Sequence, residues 1–291
     1  MKVAVTGGSG RVGMFVLRDL RDNGHSVHNF DLRHPNEWVS PFMKVDATKA
    51  AQVYDALAQV RPDAVVHLAA NPAPYGNPRH EVFQTNVLAA FNVMQAAADL
   101  GIKKIVYASS EMASGWSSTK TAPLWVPFAE EDRTPPPNAY ALSKFVGEVI
   151  GASIVAAHPE IQLASLRLNW VLLPPDYERI RKNKDNLMAG HTTLWSYIDV
   201  RDVASSVRAC LQADIPGKRV YMVAAADTMI DIPTREAIAR HFGPQVEVAA
   251  DLPEFGSCVD CSRIQREVGW LPTHSWRDEV RDEVPAEGES V

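Results

Sequence analysis

Short apolar runs alternate with amphipathic stretches along most of the chain. The first run, Val3-Ala4-Val5, is typical of a strand buried on both faces, and after a glycine-rich turn the apolar residues of 11–20 recur at helical spacing. Further strands are predicted at 25–30, 42–45, 64–68, 102–108 and 161–168, with helices between them at 47–60, 79–101 and 138–157. This repeated βαβ alternation predicts an α/β protein with a doubly wound parallel sheet.

The alternation becomes less regular beyond residue 169. A short strand is predicted at 195–200, helices at 201–213, 233–242 and 260–268, a late strand at 219–223 and an acidic tail at 283–291. We therefore predict a first domain at 1–169 and a smaller region at 170–291, of which 199–224 returns to the main sheet.

Composition and charge argue against several classes of protein. The chain has 291 residues, 46% hydrophobic and 22% charged, as in ordinary soluble globular proteins. A net charge of −6 argues against nucleic acid as a partner, because nothing offsets repulsion from phosphates. No apolar run reaches the roughly eighteen residues of a membrane span. Three cysteines and the lack of a secretory signal pattern predict a cytoplasmic protein.

The glycine-rich turn is the first candidate binding site. Gly7, Gly10 and Gly13 lie between a buried strand and the start of a helix. Backbone N–H groups point outward at such a helix start, and the helix dipole adds partial positive charge, so a pyrophosphate can bind there. The alternative is an ordinary tight β–α turn, but the order of elements favours the nucleotide site.

Asp31 ends the second predicted strand, about twenty residues beyond the glycine turn. A carboxylate there accepts hydrogen bonds from a ribose diol and repels a 2′-phosphate, which favours NAD over NADP. Arg33 weakens this preference, since a nearby arginine accommodates that phosphate. A solvated loop acid is the alternative interpretation of Asp31.

Ser110, Tyr140 and Lys144 are the candidate catalytic residues. Tyr140 and Lys144 stand four residues apart and so project from one face of a helix, while Ser110 follows a strand. A nearby ammonium favours the phenolate that can take a proton from a hydroxyl group, and a serine can orient the substrate oxygen. The alternative is a chance Tyr-xxx-Lys pair on the protein surface. The combination of this pair with the glycine turn and Ser110 favours hydride-transfer chemistry.

These motifs together resemble the extended short-chain dehydrogenase/reductase superfamily, also called the NAD-dependent epimerase/dehydratase family. The matching segments, in chain order, are Thr6–Gly13, Asp31, Asp46, His67–Ala70, Asn86, Ser109–Ser110, Tyr140–Lys144, Arg167–Asn169, Tyr197–Ala204 and Gly269–Pro272. One departure from the family pattern is Asp199, which stands where the family has a histidine.

The resemblance implies a Rossmann domain at 1–169 that binds NAD(P), a substrate-binding region at 170–291, and catalysis by Ser110, Tyr140 and Lys144. It implies the following cofactor-binding residues: Gly7, Ser9, Gly10, Arg11, Val12, Gly13, Asp31, Arg33, Asp46, Ala47, Leu68, Ala69, Ala70, Asn86, Ala108, Tyr140 and Lys144. It implies the following substrate-binding residues: Asn71, Ser110, Glu111, Met112, Asn169 and Arg179. No metal is expected, and a homodimer is expected through the helices at 79–101 and 138–158.

The sequence leaves three functions open. Nucleotide-sugar enzymes of this family bind the nucleotide with a long segment after the sixth strand, whereas only about thirty residues separate Arg167 from Tyr197 here. This short segment favours a dehydrogenase of a small sugar, sugar acid or related carbinol. Uronate dehydrogenases are the nearest comparison, since they share a Tyr-Arg element like 176–179. Glu111 argues against an anionic substrate. An epimerase or dehydratase with tightly bound NAD, and a non-catalytic dinucleotide sensor, remain alternatives.

Five further features of the sequence can be interpreted. The segments 111–137 and 174–195 are predicted to face the substrate, the first as a lid or wall, with a surface excursion as its alternative. Basic residues at 179–184 either meet an anionic group or form a solvated face. His67 is predicted to be a core histidine, and the pair Cys258 and Cys261 lacks the further ligands of a metal site.

Overall fold

The computed structural model describes residues 1–72, 76–115 and 122–279. The strands are β1 (Lys2–Thr6), β2 (Ser26–Asp31), β3 (Phe42–Lys44), β4 (Ala64–His67), β5 (Lys104–Ser110), β6 (Trp125–Val126), β7 (Gln162–Leu168), β8 (Trp170–Leu172), β9 (Tyr197–Asp199), β10 (Lys218–Val223) and β11 (Glu247–Val248). The helices are α1 (Arg11–Asp22), α2 (Ala50–Val60), α3 (Arg79–Asp99), α4 (Ala139–Ala157), α5 (Tyr177–Asn183), α6 (Val200–Gln212), α7 (Thr234–Phe242), α8 (Ser262–Val268) and α9 (Trp276–Glu279). The acidic tail predicted at 283–291 lies outside the described residues.

Seven parallel strands form the main sheet in the order β10-β7-β5-β4-β1-β2-β3. Val3, Ala4 and Val5 in β1 are fully buried, as expected for a central strand covered on both faces. The strand order reverses between β1 and β4, and ligands bind in such sheets at the carboxyl ends beside that reversal. The predicted doubly wound sheet is confirmed.

Helices cover both faces of this sheet. On one face α1 packs against α6, joined by an ion pair in which Nε of Arg208 lies 2.8 Å from Asp19. On the other face α2, α3 and α4 bury a second core that includes Leu57, Met94 and Ile154. The sheet is therefore buried between two helical layers.

A third core forms a smaller lobe beside the sheet. Its largest buried side chains include Trp195, Tyr177 and Tyr197, and β8 pairs there with β9 while β6 pairs with β11. Within 199–224, α6 and β10 belong to the main sheet and its helical layer, whereas β9 does not. The division at residue 169 stays a prediction.

Two helices begin two or three residues later than the sequence predicts, for the same physical reason. The helix predicted from residue 47 begins at Ala50, because the carboxylate of Asp46 accepts hydrogen bonds from the backbone and hydroxyl of Thr48 at 2.9 and 2.7 Å. The helix predicted from residue 260 begins at Ser262, whose backbone N–H donates to Asp260 at 2.7 Å. Aspartate side chains that bond two residues ahead hold the backbone in a turn.

Helix α4 has two different faces. By length and composition alone it is apolar enough to cross a membrane, a test that core helices of soluble proteins also pass. It carries Lys144 and Glu148, which are 4% and 3% exposed because this face packs on the sheet. The outer face presents Leu142 and Val149 to solvent. The predicted absence of a membrane partner stays a prediction.

Candidate active site

A pocket of about 1500 Å³ opens at the carboxyl ends of the central strands. Its walls are the glycine turn after β1, the ends of β2, β4, β5 and β7, the start of α4 and the segment 168–193. Ligand pockets for one small molecule measure roughly 300–1,000 Å³. This pocket therefore has room for a dinucleotide and a second molecule.

The glycine turn brings the backbone of two segments into close contact. Gly7 has φ +73°, and a Cβ on it would lie 2.6 Å from the backbone nitrogen of Ala69. A Cβ on Gly13 would lie 2.2 Å from the carbonyl oxygen of Gly7. Arg11, Val12 and Gly13 form the first turn of α1, whose N–H groups have no partner within the helix. This arrangement suits a pyrophosphate, because it offers backbone donors and excludes side chains.

Asp31 lies at the end of β2 on the pocket wall, and Arg33 lines the same wall. The carboxylate of Asp31 accepts hydrogen bonds from the backbone N–H groups of Ser9 and Arg33, both at 3.0 Å. Ser9 is absent from the wall, and its hydroxyl instead accepts a bond from Nδ2 of Asn29 at 3.0 Å. The contact of Ser9 with the site thus runs through Asp31.

The adenine and central parts of the predicted cofactor site also converge on the pocket. Asp46, Ala47, Leu68, Ala69, Ala70 and Ala108 all line it. Asn86 does not. Its Oδ1 accepts a bond from the backbone of Asn71 at 2.7 Å, and its Nδ2 donates to Ser143 at 3.0 Å. Its side chain therefore meets the pocket wall through Asn71, and its place at the cofactor stays a prediction.

Ser110, Tyr140 and Lys144 meet on the pocket wall. Ser110 ends β5, while Asn138 caps α4 by accepting a bond from the backbone of Ala141 at 2.8 Å, which fixes the helix start that carries Tyr140. Nζ of Lys144 lies 5.8 Å from the centroid of the Tyr140 ring and donates to the carbonyl of Ala108 at 2.7 Å. All three residues line the pocket.

Burial shifts the ionisation of this group. It raises the pKa of Tyr140 to about 12, an effect increased by the charge of Glu111 and opposed by a hydrogen bond with Ser110. It lowers the pKa of Lys144 to about 8. His67 lies behind these residues, 2% exposed, with Nδ1 2.7 Å from Oγ1 of Thr6, and burial lowers its pKa to about 3. It is a core histidine, as predicted.

The predicted substrate residues Asn71, Glu111, Met112, Asn169 and Arg179 all line the pocket. Oγ of Ser110 donates to Glu111 at 3.2 Å. Asn169 donates to the carbonyl of Val223 at 3.3 Å, and its buried Oδ1 has no partner among the described residues.

The guanidinium of Arg179 lies 4.7 Å from the ring centroid of Trp170, and both residues belong to the wall formed by 168–193. An ion pair ties this wall to the glycine turn, since Nη2 of Arg11 lies 2.6 Å from the carboxylate of Asp176.

The segment 168–193 contributes more of the wall than any single motif indicated. Residues that sequence motifs did not single out are Trp170, Val171, Leu173, Ile180, Asn183, Asn186, Met188, Ala189, Gly190, Thr192, Thr193 and Met229. For those between Ile180 and Thr193 the only signal was the prediction that 174–195 faces the substrate, and for Trp170, Val171, Leu173 and Met229 there was none. Lys182 and Lys184 pair instead with Glu178 and Asp231, each at 2.9 Å, so the solvated-face interpretation holds for these two cations.

The predicted lid at 111–137 is wrong for most of its described length. Its start, at Glu111 and Met112, lines the pocket, but β6 pairs with β11 and the backbone N–H of Phe128 donates to Cys258 at 3.0 Å. This part therefore packs on the smaller lobe. Residues 116–121 lie outside the described residues.

Cys258 and Cys261 are free thiols behind this contact. Burial raises the pKa of Cys261 to about 12 and that of Cys258 further, which makes both poor thiolates.

Comparison with known proteins establishes the class. Residues 3–224, more than half of the chain, match the family described as the NAD dependent epimerase/dehydratase family. The chain belongs to this family and is an NAD-dependent enzyme of the extended short-chain dehydrogenase/reductase type, as the sequence motifs predicted.

Curated relatives include both dehydrogenases and epimerases. The NAD-dependent glucose-6-phosphate dehydrogenase of Haloferax volcanii is 28% identical over 77% of this chain and 86% of its own length. The L-arabinose 1-dehydrogenase (NAD(P)(+)) of the same organism is 26% identical over 78% and 89%. The UDP-glucose 4-epimerase of Corynebacterium glutamicum is 23% identical over 94% and 92%.

Solved structures share the fold. The UDP-glucose-4-epimerase of Stenotrophomonas maltophila with bound NAD has a TM-score of 0.73 at 22% identity, covering 97% of this chain and 96% of that one. The UDP-glucose 4-epimerase of Thermus thermophilus in complex with NAD has a TM-score of 0.69 at 24% identity, covering 97% of each chain.

Proposed function

We propose that this protein is a dehydrogenase that oxidises a carbinol carbon of a small, neutral sugar or a related polyol, with NAD as the hydride acceptor. The observation that carries the proposal is the convergence of the glycine turn and the Ser110, Tyr140 and Lys144 side chains on one pocket. An anion cradle and a proton-transfer group thereby line the same cavity.

The chain's own residues would hold the dinucleotide. The first turn of α1 would bind the pyrophosphate, Asp31 the ribose diol, and Asp46 with Ala47 the adenine end, while the small residues 69–70 and 108 leave room for the nicotinamide end. When bound, NAD supplies a hydride acceptor. Asp31 favours NAD over NADP.

Tyr140 would take the hydroxyl proton of the substrate, and Lys144 would favour the phenolate by its charge. With a pKa of about 8, Lys144 still carries that charge near neutral pH. Its bond to the carbonyl of Ala108 keeps the ammonium beneath the ring of Tyr140.

Two features of the pocket support a neutral polyhydroxylated substrate. Glu111 is 5% exposed, and its buried carboxylate beside Tyr140 would repel a carboxylate or phosphate near the reacting carbon. The part of the wall formed by 168–193 carries amides and a hydroxyl at Asn183, Asn186 and Thr193, groups that bond sugar hydroxyls without charge. The likeness to a sugar dehydrogenase such as the arabinose enzyme agrees with this choice.

The test is formation of NADH by the purified protein with a panel of free sugars, polyols, uronates and UDP-sugars. Replacing Tyr140 with Phe should lower kcat at least roughly 100-fold, because a positioned general base contributes about that much. The affinity for NAD should stay close to that of the wild type. Unchanged turnover in this variant would refute the assigned role.

A second candidate is a nucleotide-sugar epimerase, favoured by the pocket volume of about 1500 Å³. Such an enzyme returns its cofactor to the starting redox state. Conversion of a UDP-sugar to its epimer without accumulation of NADH would replace the first proposal by this one.

We also propose a homodimer through α3 and α4. Leu88 and Phe91 on α3 and Leu142 and Val149 on α4 are 39–52% exposed and recur at helical spacing. Light scattering should give twice the chain mass, and the double variant Phe91→Glu with Val149→Glu should give a folded monomer. A wild-type monomer at micromolar concentration would contradict the proposal.

A further inference from the structure

Lys144 is a buried cation with no carboxylate partner in the described part of the chain. The residue is 4% exposed, and its hydrogen bond there is the 2.7 Å bond from Nζ to the carbonyl oxygen of Ala108. An ammonium group has three protons to donate, and burying its charge is costly unless other groups stabilise it. The remaining surroundings of Nζ therefore decide how well the charge is kept.

Two aromatic rings lie next to this ammonium group. Nζ is 5.3 Å from the ring centroid of Tyr107 on β5 and 5.8 Å from that of Tyr140 on its own helix. Both distances are within the roughly 6 Å over which the face of an aromatic ring attracts a cation, and this attraction is strongest where water is excluded. Tyr107 is 2% exposed, so water does not compete for its contact with Lys144.

The ring of Tyr107 is held firmly in this place. The ring of His67 stacks on it, with centroids 5.7 Å apart and an angle of 20° between the planes. A Cβ on Gly147 would lie 2.2 Å from Oη of Tyr107, so the phenol occupies space that only a glycine leaves free. Oη is buried and has no hydrogen-bond partner among the described residues. What Tyr107 offers its neighbours is therefore the ring and not the hydroxyl.

We propose that Tyr107 is a positioning residue, whose ring face keeps the Lys144 ammonium group charged and in place beside Tyr140. Tyr107 is not among the described residues that line the pocket, so it acts through Lys144. Its effect on the reaction rests on the proposed dehydrogenase function, in which that ammonium favours the phenolate of Tyr140.

Other titratable groups face this region from α4, β4, β7, β10 and the 3₁₀ turn Glu111–Ser114. They are His67, Glu111, Tyr140, Glu148, Arg167 and Lys218. His67 and Tyr140 are neutral near pH 7, because burial lowers the pKa of the first to about 3 and raises that of the second to about 12. Glu148 and Arg167 form a bidentate pair, with both N–O distances 2.9 Å, whose charges largely cancel. All of these groups remain when Tyr107 alone is replaced, so a change at Lys144 reports on the ring.

The first experiment uses the protein without cofactor or substrate. The pKa of Lys144 is followed by NMR of lysine labelled with carbon-13 at Cε, with the resonance assigned by comparison with Lys144→Met. Tyr107→Leu removes the ring, so this pKa, about 8 in the wild type, should fall by roughly one unit. Tyr107→Phe keeps the ring and should leave the pKa unchanged. A pKa that stays or rises in Tyr107→Leu, or falls equally in both variants, would overturn the proposal.

The second experiment measures oxidation of the substrate by the NAD-loaded enzyme against pH. A pKa of Lys144 lowered to about 7 leaves most of the charge at pH 6 and removes most of it at pH 8. Tyr107→Leu should therefore have nearly the wild-type kcat at pH 6 and a kcat roughly fivefold lower at pH 8, whereas Tyr107→Phe should follow the wild type at both. A loss of the same size at every pH would show that the ring only fills space, and would overturn the proposal.

Tyr221→Leu is the matched control, since Tyr221 is a buried tyrosine of the same sheet that packs in the core on the other face. It should lower stability without moving the pKa of Lys144, and an equal fall there would assign the change to a loosened core and overturn the proposal. If Tyr107→Leu does not fold, a fluorinated phenylalanine at position 107 keeps the shape of the ring and weakens the negative charge of its face, so the pKa of Lys144 should again fall. If the wild type forms no NADH with any substrate, the proposed function fails, and the NMR result alone decides whether Tyr107 holds the charge.

Discussion

The buried charge of Lys144, which suits its proposed role in catalysis, lowers the stability of the folded state. Its ammonium is 4% exposed, and burial lowers its pKa from 10.5 to about 8. Below pH 8 both the folded and the unfolded chain carry this proton, so the folded state bears the whole cost of burying the charge. As pH rises from about 8 to 10.5, the folded state releases the proton first and the cost is relieved.

Replacing Lys144 with Met should therefore stabilise the protein at pH 7. The shift corresponds to at most about 3 kcal/mol, reduced by about 1 kcal/mol for the lost bond to Ala108. Urea unfolding should show a gain at pH 7 that shrinks towards pH 10, together with loss of activity. Lys103 is exposed, so Lys103→Met should leave the free energy of unfolding unchanged. If Lys144→Met also leaves it unchanged at pH 7, burial of the Lys144 charge does not destabilise the fold.

At the scale of the element, α4 depends on how closely it approaches β5. A Cβ on Gly147 would lie 2.2 Å from Oη and 2.5 Å from Cζ of the buried Tyr107. A Cβ on Gly151, one turn later, would meet only the flexible side chain of Leu163, at 3.0 Å. The two glycines thus give a matched pair within one helix.

Gly147→Ala should destabilise the fold by about 1–3 kcal/mol, the usual cost of overpacking, and should lower kcat because α4 carries Tyr140 and Lys144. Gly151→Ala should cost less, since Leu163 can adjust and alanine favours the helix by about 1 kcal/mol. Urea unfolding and NADH formation measure both effects. Equal losses in the two variants would argue against the contact with Tyr107 as the cause.

Elements were predictable where the information is local. The main sheet, α3, α4 and the glycine turn follow from periodicity and turn residues, and even the late starts of α2 and α8 have a local cause in Asp46 and Asp260. The pairing of β6 with β11 was not predictable, because it joins short segments more than a hundred residues apart. The described part of the supposed lid includes the two-residue strand β6, whose partner could not be recognised.

At the scale of the molecule, the sequence singled out more of the residues that line the proposed cofactor half of the pocket than of those that line the proposed substrate half. The first half follows from motifs at fixed places after each strand. The second half is built by 168–193 and Met229, whose side chains share no spacing and meet only because the smaller lobe folds around Trp195 and Tyr177. Asn86 belongs to a motif that the sequence shows, but its side chain is not part of the pocket wall and bonds the backbone of Asn71 instead.

The ion pair of Arg11 with Asp176 joins these two halves, and this has a kinetic consequence. It connects the turn proposed to hold the pyrophosphate with the wall formed by 168–193. We expect this ion pair to break before a bound dinucleotide can leave the pocket. The side chains are 66% and 35% exposed, and such a pair contributes at most about 1 kcal/mol. The rate of cofactor release, measured by stopped flow, should therefore increase up to roughly fivefold at high salt or in Asp176→Asn. A release rate that neither change alters would show that this ion pair does not hinder release.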